Sequence, residues 1–492
     1  MSDSIPISNL TEQQKDYAIF LPAMSSFFAR DLGKARHEED YILPSRIPPG
    51  FEHGVEGLNY TYPKDTYFYY RWHLYSAGHA DLNMEHFSVR DDIIRNRDRQ
   101  YNWVLGDSGG FQIGKGVWEG DWKDPNCPRA QKKREQVLKF MDSNMDYGMI
   151  LDIPAWVSRS PKGAANSKIG SYQEAVDGTR INNDYFMKNR SGNCKFLNVL
   201  QGENFHQADD WYEQMKDYCD PKKYPETHFN GWAMGGQNMC DIHLALKRLV
   251  ALRFDGLLEK GKHDFMHFLG TSKLEWAVLL TDIQRAIRKY HNPNFTITFD
   301  CASPFLASAN GQIYNDIEIE DRKKWVYRMQ PSADNKAFAQ DTRPFREAVL
   351  DRNIFDRFID SPITARLQLK DITCYNPGDL NKMKQDPKTS WDSFSYTIQM
   401  AHNVWMHISA VQKANQSYDK GLYPNMLINE TFDRLAFRDI VEAIFSTDNR
   451  DVAEAVIDEY SRFWMSIIGT RGATGKKTVN ASTHFNNLFE EV

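Results

Sequence analysis

The chain has 492 residues, 41% of them hydrophobic and 13% aromatic, and a formal net charge of −6. That length buries a large core and allows one big barrel or two to three domains. The charge leaves no global basic footprint, so a nucleic acid would have to meet a local basic patch.

Apolar runs recur along the chain, each followed by a stretch of helical period. Strands are predicted at residues 17–22, at the aromatic run 66–74, and at 103–107, 148–152, 196–201, 230–235, 266–270 and 295–300. Between them lie helix candidates. Residues 241–254 place Ile242, Leu244, Leu246, Leu249 and Val250 at core spacing. Residues 274–290 do the same with Trp276, Leu279, Leu280, Ile283 and Ile287, and both stripes repeat near 3.6 residues. Strand then helix, about eight times over, is the pattern of a parallel α/β protein and predicts a closed (β/α)8 TIM barrel. A doubly wound sheet is the other option, but no Gly-x-Gly-x-x-Gly turn follows the first strand.

The pattern is interrupted twice, by insertions at residues 30–75 and 305–395. The second is charged and rich in Pro and Asn, and reads as an addition to the barrel rim or a small subdomain. Helix returns near residues 396–412. The predicted barrel domain is 1–415, and 416–492 is a helical C-terminal extension. The basic, Gly-rich stretch at 469–477 reads as a solvated tail in preference to a phosphate loop.

The six cysteines, Cys127, Cys194, Cys219, Cys240, Cys301 and Cys374, are scattered, with no Cys-x-x-Cys pair. Without a signal-peptide pattern they read as reduced thiols of a cytoplasmic protein. No apolar run is long enough to span a membrane.

The strand ends carry the chemistry. Asp107, Asp152, Gln201, Gly235 and Asp300 stand at predicted C-terminal ends, and in a (β/α)8 barrel those ends share the face that holds the active site. The run Asp107-Ser108-Gly109-Gly110-Phe111-Gln112 delivers a carboxylate into a loop whose glycines permit close approach and whose aromatic can stack on a flat ligand. Two acids across one mouth, Asp107 and Asp300, suit substitution at a sugar anomeric carbon. One attacks C1′ and holds a covalent glycosyl-enzyme, and the other moves protons. The plainer role of each acid is a helix N-cap.

The run from Asp107 to Gln112 resembles the hallmark motif of the tRNA-guanine transglycosylases, and Phe299-Asp300-Cys301 resembles their nucleophile motif. Other stretches resemble the family in the same order. Leu200-Gln201-Gly202 is similar to its Val-Gln-Gly element, and Gly231-Trp232-Ala233-Met234-Gly235 to its Gly-Leu-Ala-Val-Gly loop. His267-Phe268-Leu269-Gly270 resembles the strand before the nucleophile, and Ala401-His402-Asn403 a helix start. The resemblance spans residues 15–415 and implies a (β/α)8 barrel that exchanges bases. It makes Asp300 the nucleophile that displaces guanine, and Asp107 the general acid/base that deprotonates an incoming 7-deazaguanine. Asp152 then holds the amidine edge of the base. Gln201, Gly202 and the backbone of Gly231 to Gly235 read its carbonyl edge. Phe111 and Met234 sandwich the ring, and Ser108, Gly109, Gly110, Gln112 and Trp232 complete the substrate-binding set.

The sequence also departs from the tRNA enzymes. Their Cys-x-Cys-x-x-Cys…His zinc site has only Cys374 and His402 as counterparts; two ligands do not close a structural zinc site, so no zinc and no other cofactor is expected. The stretch after the nucleophile, residues 303–310, has no arginine, and Gly236 stands where a glutamate usually ends the loop. With the aromatic insertion at 41–75, these departures resemble the 7-deazaguanine DNA transglycosylases of bacteriophages and bacterial modification clusters. That branch implies replacement of guanine in DNA by preQ0 or a related 7-deazaguanine, with the target base flipped from the stack. Trp156, Arg159 and Lys162 are candidate supports for the flipped strand. Arg322, Lys323 and Lys324 form a second basic group, more plainly a solvated charge run. The alternatives are a zinc-free tRNA-guanine transglycosylase, a non-catalytic partner subunit on the same barrel, and a glycoside hydrolase using the same two acids.

Overall fold

Eight runs of mostly buried apolar residues pair in parallel in the computed structural model, which describes residues 8–38, 41–82, 92–349, 357–373, 390–430 and 433–467. They are β1 (Ile19–Pro22), β2 (Trp72–Ser76), β3 (Trp103–Asp107), β4 (Tyr147–Met149), β5 (Lys195–Leu200), β6 (Gly231–Met234), β7 (Phe265–Phe268) and β8 (Thr296–Cys301). Each pairs with the next from β2 to β8, and β8 pairs onto β1. One bridge, Ala23 to Leu74, joins β1 to β2, with Met24 N–H donating to the Leu74 carbonyl at 2.9 Å. The fold is thus the nearly closed (β/α)8 barrel that the strand–helix alternation predicts.

The covering helices are α1 (Ser26–His37), α2 (Pro128–Asn144), α3 (Tyr172–Asn189), α4 (Phe205–Met215), α5 (Ile242–Phe254), α6 (Leu274–Tyr290) and α7 (Ser393–Asp419). Local chemistry sets where they start. Ser25, Ser171, Asn204, Asp241 and Asp392 each accept a backbone N–H from the first turn of the helix that follows. Inside the barrel, the rings of Trp103, Tyr147 and Phe265, which open β3, β4 and β7, pack with centroids 5.6, 5.5 and 4.4 Å apart. They fill the floor, so a site has room only at the C-terminal strand ends.

The second strand lies later than predicted, at Trp72–Ser76. Phe68–Tyr69 pairs with Ser8–Asn9 outside the barrel, and Tyr60 stacks on Phe68 within a buried aromatic cluster. The run is aromatic on both sides of Arg71, so periodicity does not say which side belongs to the barrel. Arg46 ties this insertion to the first turn of α7 by a two-pronged ion pair with Asp392 at 2.5 and 2.9 Å. In the second insertion, β9 (Gln312–Ile319) and β10 (Trp325–Pro331) form an antiparallel hairpin that packs along α7 and against α6. Tyr314 N–H donates to Asn403 at 2.8 Å, and further down Lys413 donates to the Ile317 carbonyl at 3.1 Å.

Because α7 continues to Asp419, the boundary predicted at residue 415 falls inside a helix. The extension forms α8 (Phe437–Ser446), α9 (Arg450–Glu459) and α10 (Ser461–Ser466), packed on α5 and α6. Tyr290 O–H donates to Glu442 at 2.6 Å, and Arg253 donates to the Phe445 carbonyl at 2.9 Å. The 469–477 stretch lies outside the described residues. Among those described, no helix is long and apolar enough to cross a membrane.

Asp282 sits where α6, α7 and the extension meet. Tyr418 O–H donates to its Oδ2 at 2.5 Å, and Arg438 is 3.9 Å from Oδ1. Burial pushes its pKa up to about 7, against the pull of Tyr418 and Arg438. The folded chain therefore keeps a proton that the unfolded chain releases near 3.8. Stability contributed at low pH is lost as pH rises through about 4 to about 7. Asp282→Asn is expected to make Tm fall less steeply across that window; an unchanged slope rules Asp282 out as its source.

Candidate active site

Asp107 ends β3 in register with Ser76, which ends β2. Ser76 O–H donates to Asp107 Oδ2 at 2.5 Å, and Gly109 N–H approaches Oδ1 at 3.4 Å. Burial raises the Asp107 pKa and the charge of Asp300 adds to the rise, while the Ser76 hydroxyl and the Gly109 amide oppose it. Ser108 is buried. Gly109 has φ 77°, and a Cβ there would come within 2.8 Å of both Gly78 and the Trp118 ring. Gln112 packs beside Gly78. Phe111 is 37% exposed, with its ring edge-to-face on Trp156 at 5.5 Å and the Lys115 ammonium 5.3 Å from its centroid.

Gly110 lets this loop touch the next strand end, since a Cβ on it would lie 2.3 Å from the Asp152 carbonyl oxygen. Gly110→Ala must push the loop or Asp152 aside, at an expected cost of about 1–3 kcal/mol. Thermal denaturation checks this; parent stability would show that the contact yields freely.

Asp152 follows β4 and Gln201 follows β5. Gln201 Nε2–H donates to Asp152 Oδ2 at 2.8 Å, and both residues are buried. Burial pushes Asp152 up to about 7; the Gln201 amide pulls it down and the Asp107 charge pushes it up. The backbone facing this pair is Gly235-Gly236. A Cβ on Gly235 would sit 2.9 Å from Gln201 Nε2, and one on Gly236, at φ 55°, would sit 3.0 Å from Gln201 Oε1. Gln237 N–H donates to the Gly202 carbonyl at 2.7 Å.

Three residues expected at the base pocket lie elsewhere. Gly231 opens β6 next to Phe265, at the floor. Trp232 is fully buried in the helical layer, where its indole N–H donates to the Leu257 carbonyl at 2.9 Å and its ring meets Tyr212. Met234 is fully buried, so it presents no face to the mouth. The reason is that Gly231–Met234 is strand β6 itself, and the loop that the resemblance places there begins only at Gly235.

Asp300 lies one residue before the end of β8. Gly270 N–H donates to its Oδ1 at 2.8 Å, and His267 Nε2 is 3.2 Å from the same oxygen. His267 is fully buried, with Nδ1 2.9 Å from Thr298 Oγ1. Ser76, Gly236, Gly270 and His267 thus contact the site, although their motifs gave them no role. The signal for His267 is a polar residue within an otherwise apolar strand; Ser76 lies beyond the predicted strand 66–74 and carries no such signal.

Of the outer candidates, Trp156 packs against Phe111, Lys162 is exposed, and Arg159 pairs with Glu203. Residues 322–324 belong to the β9–β10 turn. Arg322 donates to the Tyr423 carbonyl at 3.3 Å, beyond the C-terminal end of α7, and Lys324 pairs with Glu318 at 2.6 Å. That end of α7 lies at the barrel floor, which removes this basic group from the mouth. His402 lies inside α7, not at a helix start. Its Nδ1 is 2.8 Å from Ser361 Oγ and its Nε2 2.8 Å from the Tyr314 carbonyl, so both nitrogens are engaged. Cys374 lies outside the described residues.

No protein-family model matches the chain, and no curated protein matches it.

Proposed function

We propose that this chain is a pentosyltransferase that exchanges guanine in DNA for a 7-deazaguanine of the preQ0 type. The supporting observation is the convergence of Asp107, Asp152, Gln201 and Asp300 on one barrel end, with different surroundings for the two reacting acids. Asp300 Oδ1 accepts from Gly270 N–H and lies 3.2 Å from His267 Nε2, an arrangement suited to a nucleophilic carboxylate. Asp107 has a raised pKa, which suits a proton donor.

In the first step the Asp300 carboxylate attacks C1′. The C1′–N9 bond breaks, its electron pair goes to the purine, and the purine takes the Asp107 proton. In the second, the incoming base gives its N9 proton to Asp107, N9 attacks C1′, and the ester bond returns its pair to Asp300. The Asp152–Gln201 pair offers polar partners to a purine edge, and the exposed Phe111 ring offers a stacking face.

DNA is favoured over tRNA by the arginine-free stretch after Asp300, and Phe111 and Trp156 beside Lys115 suit a flipped nucleotide. The test is incorporation of labelled preQ0 into duplex DNA and, separately, into tRNA. Label in DNA is expected. Label in tRNA alone moves the function to tRNA, and label in neither removes base exchange.

A further inference from the structure

We propose that His267 is a positioning residue that decides which oxygen of Asp300 reacts, a role that rests on the base exchange proposed above. Both donors to Asp300, Gly270 N–H and His267 Nε2, meet Oδ1. Among the described residues Oδ2 has no hydrogen-bond partner. Oδ2 is therefore the attacking atom and Oδ1 the anchor.

The imidazole is braced at both ends. His267 is in register with Thr298 on the neighbouring strand. Thr298 and Asp300 are two residues apart on β8, so their side chains share a face. Nδ1 lies 2.9 Å from Thr298 Oγ1 and Nε2 3.2 Å from Asp300 Oδ1. The carboxylate oxygen only accepts, so Nε2 carries the hydrogen. The Thr298 hydroxyl has two acceptors in reach, Nδ1 at 2.9 Å and the Met266 carbonyl at 3.5 Å, and the shorter contact makes Nδ1 the acceptor of its O–H. The ring is fully buried, and among the described residues it has no other hydrogen-bond partner.

When Oδ2 bonds C1′ and the C1′–N9 pair leaves with the purine, Oδ1 becomes the ester carbonyl oxygen. The Gly270 and His267 N–H groups stay on it, and they hold the carboxylate again when the incoming N9 breaks the C1′–Oδ2 bond. His267 acts in both steps through Asp300, without touching sugar or base.

Two substitutions in the full chain separate the donor from the volume. Gln carries an N–H near the Nε2 position, whereas Leu carries none. His267→Leu is expected to slow covalent capture of duplex DNA in a single turnover by about 100-fold, with the KM for preQ0 unchanged. His267→Gln is expected to restore most of that rate. Capture by the Leu variant at the parent rate overturns the proposal, as does equal loss in Leu and Gln variants of parent Tm. If the Leu variant is destabilised, Thr298→Val removes only the hydroxyl that fixes the tautomer; a partial loss of rate supports the brace, and the full parent rate overturns it. Imidazole 15N NMR of the unsubstituted chain reads the brace without any turnover. A protonated Nε2 with a bare Nδ1 is expected. The opposite tautomer overturns the role of His267 and leaves base exchange standing. A parent chain that labels neither polymer defeats base exchange instead, while the tautomer still reports on the brace.

Discussion

Asp300→Asn is expected to abolish covalent capture of DNA and to lower base exchange by about 10⁴-fold or more. The amide keeps the shape of the carboxylate, and its oxygen can still accept from Gly270 N–H and His267 Nε2. The variant should therefore fold and bind DNA as the parent does. What it lacks is a nucleophile, because an amide oxygen does not form a stable ester with C1′. Incubating parent and variant with a guanine-containing duplex and measuring intact mass reads the difference directly. The parent should carry the mass of a DNA strand that has lost one guanine, and the variant should carry none. Parent-level exchange by the variant would leave the proposed covalent step without a nucleophile.

The two acids were visible in the sequence because each ends an apolar run, and a barrel turns every such end toward one face. β3 and α6 occupy their predicted residues, Trp103–Asp107 and Leu274–Tyr290, since β3 gives way to glycines and the α6 stripe keeps one period throughout. Partners across strands were not visible. Ser76 meets Asp107, and His267 meets Asp300, only through the β2–β3 and β7–β8 registers. A register is a property of the closed sheet and has no trace in local spacing. The turn at residues 322–324 makes the same point about distance. It lies close in sequence to Asp300, but the hairpin follows α7 down the barrel and sets those charges at the far end. At β6 the predicted strand end, Gly235, holds, whereas the base-reading loop that the resemblance places at Gly231–Gly235 is strand as far as Met234.

Asp107→Asn is expected to slow exchange of guanine by about 10²–10⁴-fold, and the choice of leaving group shows why. Guanine departs from C1′ with an electron pair and needs a proton, which the raised pKa of Asp107 allows it to supply. N7-methylguanine already carries a positive charge and leaves neutral without a proton. A duplex with that base should form the covalent intermediate on the Asp107→Asn variant at close to the parent rate. The second step still needs a base to take N9–H from the incoming 7-deazaguanine. The intermediate should therefore accumulate on the variant and turn over on the parent. The pH dependence follows the same logic. Guanine release needs protonated Asp107 and falls as pH rises through its raised pKa; attack by the incoming base needs the ionised form and falls as pH drops. With the methylated duplex the alkaline fall in the first step should vanish for parent and variant alike. A residual dependence near neutrality is expected from Asp152, which burial carries up to about 7. If Asp107→Asn slows the methylated duplex as much as the ordinary one, Asp107 orients the substrate and the proton has another source.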